Sequence, residues 1–284
     1  MKYFIDTEFH EYRKQPKVLG LDVDKKIDTI ELISIGIVSE DIYVNKQSPI
    51  NKDGNMLMVD LKENKSKEYY AICKDFDVKA AWDNEWLRKN VLMSILSELE
   101  YMDMSSKKFT WTKTRLNSLY NILHSRITNI ALRSKYSRFK WLLNKYGKTR
   151  GQIAEEIKKF TLQGCLPNVT NEQAKANSDI FDADRPEFYA YYADYDWVVF
   201  CWLFGRMIDL PKGFPMYCID LKQEFDNKAS EEQLNLEKQG TYMTIEAIVV
   251  KFKKSNSYPK QFNAHNALDD AKWNKQLFKF IGNL

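Results

Sequence analysis

The chain has 284 residues, 44% of them hydrophobic and 14% aromatic, with a formal net charge of +4. That much apolar material sustains a packed core and excludes a disordered chain, while the length suits one large domain or a domain carrying an insertion. Four cysteines without a C-x-x-C pair and only three histidines argue against a zinc cluster and a disulfide framework, and fit a reducing compartment.

Asp6 interrupts the apolar opening of the chain, so the start does not read as a signal peptide. No stretch reaches the roughly 18 uncharged apolar residues of a membrane helix. The expectation is a soluble, cytoplasmic protein with no membrane partner. Residues 2–10 read as a strand, and 29–39 (TIELISIGIVS) carry the strongest strand signal, β-branched and mostly apolar. Residues 68–74 read as a third strand, giving an early meander. Polar stretches at 11–28 and 41–66 read as loops. Helices are predicted over 84–99, over 113–146 and over 150–161, the last with Thr149 as N-cap. Residues 187–193 (EFYAYYA) read as a buried strand and 195–206 as a buried helix. A short strand at 216–219 and helices at 219–227, 242–253 and 267–282 close the chain. The pattern predicts an α/β fold, a mixed sheet flanked by helices.

The net charge hides an asymmetry. Residues 101–160 hold 14 basic and three acidic residues, a net +11, and the rest of the chain carries −7. A basic segment on an acidic body is the charge layout of a phosphate-binding surface beside a carboxylate metal site. Trp111, Tyr120, Tyr136, Phe139, Trp141 and Tyr146 are interleaved among its lysines and arginines. The segment reads either as a track for a nucleic-acid backbone or as a solvated helical hairpin whose aromatics pack inward. Lys107, Lys108, Arg115, Arg133 and Arg138 are the candidate contacts of the first reading.

Three clusters carry potential chemistry. In Phe4-Ile5-Asp6-Thr7-Glu8-Phe9, strand alternation puts Asp6 and Glu8 on one face, about 7 Å apart along the backbone. Two such carboxylates repel unless a hard divalent cation sits between them, although a D-x-E alone is also the acidic face of an edge strand. The second cluster, Ala193-Asp194-Tyr195-Asp196-Trp197, lies where a buried strand turns into a buried helix. Asp194 suits an N-cap there, while Asp196 is embedded among aromatic and aliphatic neighbours. The third, His265-Asn266-Ala267-Leu268-Asp269-Asp270, sets a histidine ahead of a helix that starts at Asn266. Neutral imidazole can accept a proton near pH 7; the same residues also suit a plain acidic helix N-terminus.

The order D-x-E, a strand-to-helix Asp, then H-x4-D resembles the DEDDh 3′–5′ exonucleases, a superfamily with an RNase-H-like fold. TIELISIGIVSED at 29–41, EYYAICKDFD at 68–77, LRKNVL at 87–92 and WLFGRMIDLPKGFPMYCIDLKQ at 202–223 resemble a small stand-alone bacterial and phage exoribonuclease family, one member of which is mycobacterial. The likeness covers roughly 1–40, 67–95 and 180–284. It leaves 41–66 and about 99–170 outside, so the chain reads as one nuclease domain over 1–284 with a basic, mostly helical insertion at about 99–170. The tyrosine-using sister class needs Tyr four residues before the last Asp, where this chain has Asn266.

The resemblance implies an enzyme in which Asp6, Glu8, Asp196 and Asp270 hold two divalent cations, Mg²⁺ or Mn²⁺. His265 would be the general base, and nucleoside 5′-monophosphates would leave from the 3′ end of single-stranded RNA. A DNA exonuclease of the same fold, a non-catalytic nucleic-acid-binding protein on a nuclease scaffold and a small-nucleotide phosphohydrolase are the rival readings. A homodimer is a further expectation from related nucleases. Phe9 is a candidate for stacking on the terminal base, or a core residue pointing away from Glu8. Glu31 reads as a group behind the metal ligands or as the start of a solvated strand edge, and His10 receives no role.

Overall fold

The apolar runs of the sequence pair into one five-stranded mixed sheet. The computed structural model describes residues 1–15, 17, 18, 21, 22, 26–45, 62–106, 129–165 and 185–284. In chain order the strands are β1 (Lys2–Lys14), the two-residue β2 (Lys17–Val18) and β3 (Leu21–Asp22), and β4 (Ile27–Ser39). They continue with β5 (Ile42–Asn45), β6 (Lys62–Lys65), β7 (Glu68–Ile72), β8 (Glu187–Ala190) and β9 (Ile219–Asp220). The main sheet runs β7-β4-β1-β8-β9, so the three long early strands do lie side by side as a meander. β8 pairs with β1 in parallel, Tyr3 opposite Phe188 and Phe4 opposite Tyr189, and β9 pairs with β8 in parallel.

The helices are α1 (Val78–Asp83), α2 (Glu85–Leu87), α3 (Met93–Ser106), α4 (Asn129–Tyr146) and α5 (Arg150–Cys165), then α6 (Ala193–Phe204), α7 (Leu221–Lys238), α8 (Ile245–Lys253) and α9 (Ala267–Ile281). A π turn at Arg88–Leu92 joins α2 to α3. Among the described residues no helix is long and apolar enough to cross a membrane.

Two compact units make up the chain: Met1–Asp6, Gly36–Tyr70 and Glu156–Leu284 form one, Thr7–Ile35 and Ala71–Glu155 the other. β1, β4 and β7 run from one unit into the next. In the first unit both sheet faces are covered, the usual reason that parallel strands read as unbroken apolar runs. Phe4 and Tyr189 pack with Leu221, Phe225, Trp273, Leu277, Phe280 and Ile281 of α7 and α9. On the opposite face Tyr3 and Phe188 meet Phe160, Trp197 and Phe200. In the second unit Phe139 of α4 packs on Trp82 of α1, and Tyr136 meets the same ring edge-on. The backbone N–H of Lys148 donates to Ile72, and that of Lys74 donates to Lys148, which ties the α4–α5 junction to the end of β7. Thr149 caps α5 as predicted: its Oγ1 accepts from Gln152 N, and Gln152 Oε1 accepts from Thr149 N.

Several boundaries move. Strand pairs β2–β3 and β5–β6 occupy parts of the stretches read as loops. The partner of Ile42–Asn45 is the sequence KENK, which has no strand propensity of its own and so gave no signal. The helical region predicted from 84 starts at Val78 behind an Asp77 cap. The strand read over 187–193 stops at Ala190, and α6 begins at Ala193, so Asp194 lies inside the first turn. The N-cap position is Tyr192, in the left-handed region at φ 57°, not Asp194. Helix α7 continues to Lys238, well past the predicted 227.

Candidate metal centre

Asp6 and Glu8 lie in the middle of β1, directly after Tyr3, Phe4 and Ile5, all essentially inaccessible. Asp6 is half-buried and Glu8 is 8% exposed. Asp270, 6% exposed, sits in the first turn of α9. Each of the three offers a carboxylate oxygen, and these oxygens lie within 4.8 Å of one another. At such a spacing two ionised carboxylates repel by roughly 3–4 kcal/mol for an effective dielectric of about 20. Hard oxygen donors gathered this closely fit a divalent cation of the Mg²⁺ or Mn²⁺ type, which removes that repulsion.

Asp270 is held from several sides. Its Oδ2 accepts the backbone N–H of His265 at 2.8 Å, and its Oδ1 accepts Gln261 Nε2 at 2.6 Å. Burial pushes its carboxyl above the ordinary value, against the pull of the Gln261 and His265 hydrogen bonds and the His265 charge. Asn266 caps α9, its Oδ1 accepting from Leu268 N and Asp269 N. One turn beyond Asp270, the buried Asn274 donates Nδ2 to the carbonyl of Ile5 at 2.8 Å, immediately before Asp6. Gly36 completes the seat of the helix. A Cβ there would meet Ala267 O at 2.2 Å and Leu268 Cα at 2.5 Å, so α9 starts directly against the backbone of β4. His265 is half-buried with φ 67°, a left-handed conformation that aims the loop into the helix start. Asn263 at φ 53° shares that conformation and donates Nδ2 to Asp269.

Asp196 is 6% exposed on α6 and is not a member of the close trio. Burial first, then its charge and that of Asp220, push the Cys218 thiol well above its ordinary value, and α6, which carries Asp196, packs against β9. Asp220 in turn accepts Tyr192 N and caps α7 through Lys222 N, fixing the turn that delivers α6.

Phe9 is half-buried on β1. Lys107, Lys108 and Arg115, with Trp111 and Tyr120, lie outside the described residues. Arg133 is exposed on α4. Arg138 is engaged within its unit: its guanidinium bonds the buried Asp103 at 3.1 Å and stacks on Trp141 at 4.9 Å. Asp103 also accepts Lys145 Nζ and Tyr146 OH. Phe139 is core and Tyr136 packs on Trp82, so of the described interleaved aromatics Trp141 keeps an exposed face. Gln261, Asn274 and Gly36 escaped the sequence reading. Asn274 and Gly36 had a local signal, a polar residue and a glycine inside apolar runs, but nothing local to name their purpose.

No protein-family model matches the chain, and no curated protein sequence matches it.

Proposed function

We propose that the chain is a divalent-metal-dependent 3′–5′ exonuclease acting on single-stranded RNA and releasing nucleoside 5′-monophosphates. The observation that supports this best is the gathering of Asp6, Glu8 and Asp270 from the first strand and the last helix into one trio. The order of motifs along the chain and the mixed α/β sheet agree with it. In this reading Asp6, Glu8 and Asp270 hold Mg²⁺ or Mn²⁺, and Asp196 contributes to a second ion. The ions supply Lewis-acid stabilisation of charge on the attacking and leaving oxygens of an in-line displacement. His265, set beside Asp270 through its own backbone, takes the proton of the attacking water. Gln261 and Asn274 keep Asp270 and the β1 backbone in register for that chemistry.

The test is a time course on 5′-labelled single-stranded RNA and DNA with Mg²⁺, Mn²⁺ or EDTA, wild type beside Asp6→Ala. The expected result is a ladder shortening from the 3′ end, faster on RNA, abolished by EDTA and by the substitution. Preference for DNA would move the substrate class and keep the chemistry. Absence of cutting in either metal, with RNA still bound, would reduce the protein to a binding module.

A further inference from the structure

Helix α4 carries five basic residues, Arg133, Lys135, Arg138, Lys140 and Lys145, and no acidic one. Its apolar side, with Phe139, Leu142 and Leu143, is buried in the second unit. Arg133, Ser137, Lys140, Trp141 and Asn144 are exposed. Ser137 and Asn144 stand one turn to either side of Trp141 and share its face. Among the described residues the ion pairs of the helix are made by Arg138 and Lys145, which leaves Arg133 and Lys140 unpaired there.

Trp141 is 48% exposed, although tryptophan is a highly buried residue on average. The Arg138 guanidinium and Lys145 Nζ lie 4.9 and 5.1 Å from its ring centre. Both cations also bond one carboxylate, that of Asp103, which is 2% exposed and accepts Tyr146 OH as well. Standing over opposite faces of the ring, the two would be too far apart to share that carboxylate, so they back the indole from one side and solvent meets the other. Asp103 and Glu100, the acids of α3 at this place, answer Arg138 and Lys145. Nothing comparable answers Arg133 and Lys140 among the described residues. A flat apolar face beside unpaired positive charge matches a polyanion whose planar groups are free to stack. The bases of a single strand are free in this way, whereas those of a duplex are already stacked on one another.

We propose that α4 is a docking surface for single-stranded nucleic acid, with a base stacked on the outer face of Trp141 and neighbouring phosphates on Arg133 and Lys140. The surface goes beyond the nuclease reading and needs no metal. Because every base has a π-face, it grips a strand without reading its sequence.

The experiment measures binding of the full chain to a labelled single-stranded RNA of about 12 nucleotides, in EDTA to silence the metal centre, from about 50 to 200 mM salt. Unlabelled single-stranded DNA, duplex and polyglutamate serve as competitors. Trp141→Leu, Trp141→Phe and the double variant Arg133→Gln with Lys140→Gln are compared with wild type. Trp141→Leu should lose about 5- to 100-fold in affinity, the worth of one stacked base, and Trp141→Phe should recover most of it, both with the salt slope of wild type. The double variant should flatten the slope of log K against log salt by about 1.4, two phosphates at the single-strand value. Single-stranded DNA should compete as RNA does, and duplex and polyglutamate should not. Full affinity in a folded Trp141→Leu protein would overturn the surface. Equal competition by polyglutamate would overturn it in favour of an acidic protein partner. Should Trp141→Leu fail to fold, the double variant decides alone, since its two side chains are exposed, and an unchanged slope would end the proposal. Cleavage by wild type in Mg²⁺ is followed in parallel. Binding without cutting would remove the nuclease reading and keep the surface, and cutting without binding in EDTA would do the reverse.

Discussion

His265 serves Asp270 through its backbone N–H and is proposed to serve the reaction through its ring, and the two roles separate by substitution. At φ 67° a side chain with a Cβ is strained, and asparagine tolerates that region better than most. His265→Asn therefore keeps the loop conformation and the backbone bond while removing the imidazole. Loss of a general base costs about 10²- to 10⁴-fold in kcat, so kcat should fall by that much with Mg²⁺ affinity within about twofold of wild type. Steady-state kinetics with metal titration would decide, and a retained rate at neutral pH would end the base assignment. The two halves were legible because each is local: Asp6 and Glu8 alternate on one strand, and His265 stands five residues before Asp270, whereas no local spacing brings Asp270 to the pair. Gln261 was not legible, because a polar residue in a loop announces no partner until the loop's path is known.

Helix α9 is placed by packing that no local pattern encodes. Gly36 sits in an apolar strand where any β-branched residue would raise strand propensity, yet the approach of Ala267 leaves no room for a methyl group. Gly36→Ala is expected to push the first turn of α9 away from β4. Overpacking of this kind costs typically 1–3 kcal/mol, and here the obstacle is backbone, so a loss of about 3 kcal/mol in denaturant unfolding is the expectation. Because Asp270 rides on that turn, Mg²⁺ affinity should fall as well, and a variant that unfolds early but binds metal normally would contradict the link between Gly36 and the trio. The existence and type of the long elements were readable from apolar periodicity, as in β4 and α9. Element ends were not, because Tyr192 at φ 57° and the Asp220 bond to its N–H decide where β8 stops and α6 starts.

For the molecule as a whole, acid sensitivity should be set in part by Asp41. Hydrogen bonds from Lys275 and then Lys279 hold its carboxyl below the ordinary carboxylate range, and Lys275 is only 7% exposed. A carboxylate depressed in the folded state adds stability above its unfolded pKa of about 3.9, and that contribution disappears as pH falls through the folded value. Asp41→Asn should thus lose about 2–4 kcal/mol at pH 7, where Lys275 loses its counter-charge, and the gap to wild type should narrow as pH falls below about 3.9. Parallel pH–stability curves for the two proteins would rule this out. The bond from Asn274 to Ile5 closes a span of 269 positions, an entropic cost of about 5 kcal/mol that nearby contacts must have offset beforehand. A growing chain therefore carries Asp6 and Glu8 without their third partner until Asp270 has been made. If the trio is the catalytic centre, the nascent polypeptide is inert toward its own messenger RNA until α9 has emerged and docked.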